Sequence, residues 1–94
     1  MTDQSTILVV DDEDRNLRLM EAMLVPMGYR ILTAGNGEQA LEMVSEEPVD
    51  VILLDIMMPK MDGFQVAKHL KSDPETKLIP IVMVTALQAK EDRI

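Results

Sequence analysis

Residues 7–16 read ILVVDDEDRN. Four apolar residues in a row have the look of a buried strand, with Thr6–Val10 as its extent. They run straight into four acids, Asp11, Asp12, Glu13 and Asp14. Like charges repel, and a buried carboxylate costs free energy unless it is paired or binds a metal. The acids are therefore either solvated in a loop or gathered for something positive. What lies beside that strand end decides between the two.

Working outward, Leu17, Met20, Leu24 and Met27 fall at spacings of three and four. They mark one apolar stripe of a helix that Pro26 and Gly28 end. A short strand follows at Arg30–Ala34. GNG at 35–37 reads as a turn. A second helix runs from about Glu38 to Glu46, with Ala40, Leu41 and Val44 inward, and Pro48 stops it. VDVILLD at 49–55 is a third strand, apolar on both faces and so placed as the most buried one, in the middle of a parallel sheet. MMPKMDG at 57–63 is a loop. A third helix covers about Phe64 to Lys71 and is expected to bury Phe64, Ala67 and Leu70. After the SDPETK loop, IPIVMVTA at 79–86 is a fourth strand, and LQAKEDRI begins a helix. Strict alternation of strand and helix means a parallel α/β sheet with right-handed crossovers and helices on both faces.

The bulk numbers narrow the function classes. The chain has 94 residues, enough for one domain over 1–94 with a modest core. Apolar residues make up 47%, too many for a disordered chain. A net charge of −8, from 9 Lys+Arg against 17 Asp+Glu, argues against direct nucleic-acid binding. Cysteine is absent, which excludes disulfides and thiolate metal sites and suits a reducing, cytoplasmic setting. The N-terminus MTDQST lacks the basic and apolar regions of a signal peptide, and no apolar run approaches the roughly 18 residues of a membrane span. The 9 methionines read as flexible core filler.

In open α/β sheets chemistry collects at the carboxyl ends of strands, where strand order reverses. Strand one ends at Asp11 and Asp12, and strand three ends at Asp55. In the flavodoxin-like order 2-1-3-4-5 those strands are neighbours, so three carboxylates meet at one rim, with Thr85 and Ala86 of strand four beside them. An all-oxygen, acidic donor set suits a hard cation such as Mg²⁺ (or Mn²⁺). A cation there also permits phosphoryl transfer to a carboxylate, by neutralising charge as one anion approaches another. Asp55 is the candidate nucleophile. Taken alone, Asp11 and Asp12 are better read as loop solvation and Asp55 at a strand end means little; only the joint pattern is specific. His69, between Lys68 and Lys71, reads as a surface residue. Glu13 and Asp14 suit the start of the first helix through its dipole, with Glu13 also in reach of a metal-bound water. Asp62 before Gly63 reads as a helix cap.

At these residues the chain resembles the receiver domain of two-component response regulators. The resemblance is carried by ILVVDDE, PMGY, AGNGEQAL, VILLDIMMPKMDG and IPIVMVTA, in order and nearly from end to end. It implies Asp55 as phosphoacceptor, supplied by a sensor histidine kinase, a phosphotransfer protein or a small phosphodonor. It implies Asp12 as a direct Mg²⁺ ligand, Asp11 as a direct or water-mediated one, and the main-chain carbonyl of Met57 as the third protein position. Thr85 is implied as the switch hydroxyl, Ala86 as the small neighbour that leaves it room, and Pro59 and Gly63 as shapers of the loop. A cytoplasmic signalling protein, not an enzyme, is implied. The family also has a lysine on a fifth strand that pairs with the phosphoryl group. No residue here matches it, since Lys90 falls on a different element. The chain is thus expected to be a receiver lacking strand five and helix five. It is expected to be marginally stable alone, or completed by a partner or by self-association along the strand-four edge. TALQAKEDRI resembles the ends of receivers joined to output domains such as cyclic-dinucleotide enzymes. The kinase and the output stay open.

Two rival readings differ in class. A haloacid-dehalogenase-type phosphatase also uses a strand-end Asp and Mg²⁺. It needs two Asp separated by one residue after strand one, where this chain has Glu13 in the third position. A receiver-like interaction module without phosphorylation would keep the fold only. Covalent phosphate on Asp55 separates that module from a working receiver.

Overall fold

The computed structural model describes residues 4–58 and 60–84. Its elements are β1 (Thr6–Val10), α1 (Asp14–Leu24), a 3-10 turn (Val25–Met27), β2 (Arg30–Ala34), α2 (Gly37–Glu46), β3 (Val51–Asp55), α3 (Gly63–Ser72) and β4 (Ile81–Val84). The four strands are parallel in the order β2-β1-β3-β4, the flavodoxin-like order expected from the sequence. Val10 pairs with both Ala34 and Leu54, so β1 and β2 end level and β3 runs one residue further, to Asp55, at the same rim. Asp55 pairs with Val84 there.

Side chains alternate across a strand, and the core follows that period. Leu8 and Val10 of β1 pack with Ile52, Leu54, Ala40, Val44, Val66 and Leu70 beneath α2 and α3. Ile7 and Val9 face the other way, against Leu17, Met20 and Leu24 of α1. All five residues of β1 are buried, whereas Val51 and Leu53 of β3 are half-buried. The most buried strand is therefore β1, not β3: among the described residues only α1 covers the face on which Val51 and Leu53 lie.

Three other expectations change for local reasons. First, α1 stops at Leu24, and Val25–Met27 tightens into a 3-10 turn closed by Gly28 at φ 98°. The apolar stripe holds at Leu17, Met20 and Leu24, but Met27 is 67% exposed. Second, α3 starts at Gly63, one residue early, which puts Gly63, Val66 and Leu70 inward. Phe64 is rotated off that stripe and is 62% exposed, while Ala67 still packs against the core. Third, Gly37 opens α2 instead of belonging to the turn before it, and Asn36 caps the helix by accepting from the Gln39 N–H at 2.8 Å. The methionines divide in the same way. Met20, Met43, Met58, Met61 and Met83 fill the core, while Met23 and Met57 are exposed like Met27. Pro59, Thr85, Ala86, Lys90 and the helix expected from LQAKEDRI lie outside the described residues. Among the described residues β4 is the outer strand, with Val82 exposed.

Candidate metal centre

Two strand ends build the site. Asp11 follows the last residue of β1, and Asp55 is the last residue of β3. Asp11 donates its N–H to the Ala34 carbonyl at 3.1 Å, which holds it level with the sheet before the chain turns away. At both strand ends the turn is made by the acid itself. Asp11 Oδ1 accepts from the Glu13 N–H at 3.0 Å, and Asp55 Oδ1 accepts from the Met57 N–H at 3.1 Å. A carboxylate bonding the N–H two residues on is a side-chain turn that bends the backbone sharply. Each acid is thereby fixed at the rim by one of its own oxygens.

Asp11, Asp12 and Asp55 each bring a carboxylate oxygen to within 4.8 Å of the others. Asp11 and Asp55 are buried, and Asp12 is exposed. Burial, and then the neighbouring charges of Asp11 and Asp12, push the Asp55 carboxyl up to about 6, against a partial offset from the Met57 N–H. The Asp11 carboxyl is raised too, again chiefly by burial, with the charge of Asp12 adding to it. The pair thus carries more negative charge than its surroundings stabilise, and either a proton or a cation relieves it. An oxygen-only donor set with one exposed member fits a hard, partly hydrated cation of the Mg²⁺ or Mn²⁺ kind and offers nothing to a soft one.

The chain after Asp55 returns to α3 through Gly63. The Gly63 N–H donates to the Ile56 carbonyl at 3.0 Å. A Cβ placed on Gly63 would stand 2.5 Å from the Asp55 carbonyl oxygen and 2.8 Å from the Ile56 Cα, so no larger residue fits without moving the backbone that carries the acid. Within this loop Lys60 takes the left-handed backbone at φ 67°. Asp62 closes the loop as the cap of α3: its side chain accepts from the Gln65 N–H at 2.9 Å, and Gln65 accepts from the Asp62 N–H at 3.0 Å. The cap expected at Asp62 is present as a full capping box.

The other candidates sort plainly. Glu13 is the residue before α1 and is exposed; its side chain makes no cap bond, while its N–H serves Asp11. Asp14 sits in the first turn of α1, as the helix dipole favours. His69 is exposed in the last turn of α3. Sequence reasoning missed Asn16: it is buried, and its Nδ2 donates to Asp11 Oδ2 at 3.2 Å. An amide one turn after the acids, on the inward side of the helix stripe, was the signal available. No described helix is long and apolar enough to cross a membrane.

Comparison with known proteins agrees with this geometry. The family model of the response regulator receiver domain matches residues 7–94. Response regulator PleD of Caulobacter vibrioides is 52% identical over 88 residues, covering 94% of this chain and 19% of that protein. The probable transcriptional regulator ycf27 of Guillardia theta is 43% identical over 88 residues, covering 94% of this chain and 34% of that protein. The chain therefore spans about a fifth to about a third of these curated relatives. Among solved structures, the N-terminal domain of a response regulator receiver protein from Methanoculleus marisnigri JR1 superposes with a TM-score of 0.84 at 41% identity, covering 95% of this chain and 76% of that one.

Proposed function

The chain belongs to the response regulator receiver domain family, and on that premise we propose that it accepts a phosphoryl group on Asp55 from a sensor histidine kinase or phosphotransfer protein and thereby switches an output. The observation that carries the reading is the convergence of the Asp11, Asp12 and Asp55 oxygens within 4.8 Å at the carboxyl ends of two adjacent strands. When bound by the three acids and the main-chain carbonyl of Met57, Mg²⁺ (or Mn²⁺) neutralises charge as phosphate approaches carboxylate.

The chain's own residues do the rest. The Met57 N–H holds one oxygen of Asp55 in place. A carboxylate oxygen attacks phosphorus, the bond from phosphorus to the donor's imidazole nitrogen breaks, and that nitrogen keeps the electron pair and is reprotonated from solvent. Gly63, packed against the Asp55 backbone, keeps that acid at the rim, and Pro59 matches the family's loop position. Thr85 and Ala86 match the family's switch hydroxyl and its small neighbour, and we assign them those roles here. Each of these roles supports signalling by a charge change at one side chain, in a cytoplasmic protein, with no turnover of substrate.

Intact mass of the protein with Mg²⁺ and acetyl phosphate tests the reading, beside an Asp55→Asn control. Gain of one phosphoryl group that the control lacks is the expected result. No gain, with the fold intact by circular dichroism, refutes phosphoacceptor function and leaves an interaction module that shares the fold alone.

A further inference from the structure

The cluster is not held evenly. Asp12 is exposed, and Asp55 is anchored through Oδ1 by the Met57 N–H. Asp11 is held at both oxygens, Oδ1 by the Glu13 N–H at 3.0 Å and Oδ2 by the Asn16 side-chain amide at 3.2 Å. With a donor on each oxygen, rotation of the carboxylate about its terminal bond would break a hydrogen bond. Asn16 lies in the first turn of α1 and is only 9% exposed. Asparagine is a poor choice there on local grounds: its helix propensity is below that of alanine, and a buried amide costs free energy unless it is bonded. The bond that its side chain makes goes to Asp11, at the rim.

We infer that Asn16 is a positioning residue for the cation site, fixing the Asp11 carboxylate in its binding orientation before a cation arrives. The inference rests on the metal-dependent reading above and deepens it, by tying the first helix to the site. Groups that hydrogen-bond a metal ligand orient it and typically account for about 10–100-fold in metal affinity. A purely structural Asn16, satisfied by Asp11 but indifferent to the cation, would change stability and leave affinity alone.

Mn²⁺ serves as the probe. Its free signal is followed by electron paramagnetic resonance, with Mg²⁺ as competitor. The wild type is compared with Asn16→Ala, with the near-isosteric Asn16→Leu where the alanine variant does not fold, and with Met20→Ala. Met20 sits on the same helix and packs against the core. The expected result is a loss of about tenfold in Mn²⁺ affinity for the Asn16 variants and none for Met20→Ala, although that change lowers the melting temperature. In an Asp11→Asn background the Asn16 change should add no further loss, because the group it positions is gone. Wild-type affinity in the Asn16 variants, or an equal loss in Met20→Ala at matched stability, overturns the inference and leaves the metal reading standing. Absence of Mn²⁺ binding in the wild type overturns the metal reading and this inference together.

Discussion

Replacing Asp55 by asparagine should stabilise the cation-free protein at neutral pH. Asp55 is 3% exposed, and its carboxyl is raised from 3.8 to about 6 by burial and by Asp11 and Asp12. A folded-state value above the unfolded one means that the folded protein binds more protons between about pH 4 and pH 6. Stability contributed by this group is therefore full below about pH 4, declines as pH rises to about 6, and stays low above that. An elevation from 3.8 to about 6 corresponds to at most about 3 kcal/mol. The rim is open beside the exposed Asp12, so about 1–3 kcal/mol is the working range. An asparagine side chain would keep an oxygen for the Met57 N–H, so the turn survives the change. Urea unfolding followed by circular dichroism in a chelator measures the effect. With a urea slope of about 1 kcal/mol per molar for a small domain, the midpoint of Asp55→Asn should lie about 1–3 M above wild type at pH 7.5. The two midpoints should converge near pH 4. Other acids titrate over the same range, so the quantity to follow is the difference between the two proteins. Saturating Mg²⁺ should stabilise wild type and leave the variant with less of that gain. A variant less stable than wild type at pH 7.5, or a difference that does not shrink on acidification, refutes the reading that burial and the neighbouring carboxylates disfavour the ionised Asp55 in the folded state.

Two further substitutions probe the frame around the site. Gly63→Ala should cost about 1–3 kcal/mol in urea unfolding, because its Cβ would meet the Asp55 carbonyl oxygen at 2.5 Å. In a helix position with free space the same change stabilises by about 0.5–1 kcal/mol, so the sign alone tests the close approach. Asp62→Ala removes the cap of α3 and should lower stability by about 0.5–2 kcal/mol. At roughly 4–8 °C per kcal/mol for a domain of this size, a melting temperature unchanged to within about 1 °C would refute the role of the cap.

Strand order, the parallel sheet and the meeting of Asp11, Asp12 and Asp55 were legible because they rest on coarse signals. Apolar runs mark strands, alternation with helices makes the strands parallel, and acids at strand ends inherit the rim. Besides the burial of β3, which depended on what covers the sheet, what failed depended on helix phase. Starting α3 at Phe64 instead of Gly63 puts Phe64 inward, and one residue of error turns a helical side chain by about 100°. Gly63 opens the helix because the chain must pass within contact of the Asp55 backbone, and no local propensity encodes that. Met27 left the stripe because Pro26 and Gly28 tighten the last turn before the helix period would have carried it inward. Partners distant in sequence were equally hidden. Asp50 Oδ2 accepts from the Thr6 N–H at 2.7 Å, tying β1 to the loop before β3, and nothing near either residue announces the other.

The acids are held by the same bonds that turn the chain, and this explains how the site tolerates carboxylates that are both buried and close together. Met57 and Glu13 each give one N–H to the carboxylate two residues before them, and Asn16 gives a third donor to Asp11. Those bonds lower the cost of burying charge without cancelling it, since both carboxyls remain raised. A fourth donor in place of an acid would complete the balance: an asparagine at position 55 would do so and would also remove the proposed nucleophile. A rim optimised for stability would therefore lack the proposed phosphoacceptor. On the proposed function, the stability given up to burial and to neighbouring charge keeps Asp11 and Asp55 as carboxylates, held in place for a cation and then a phosphoryl group.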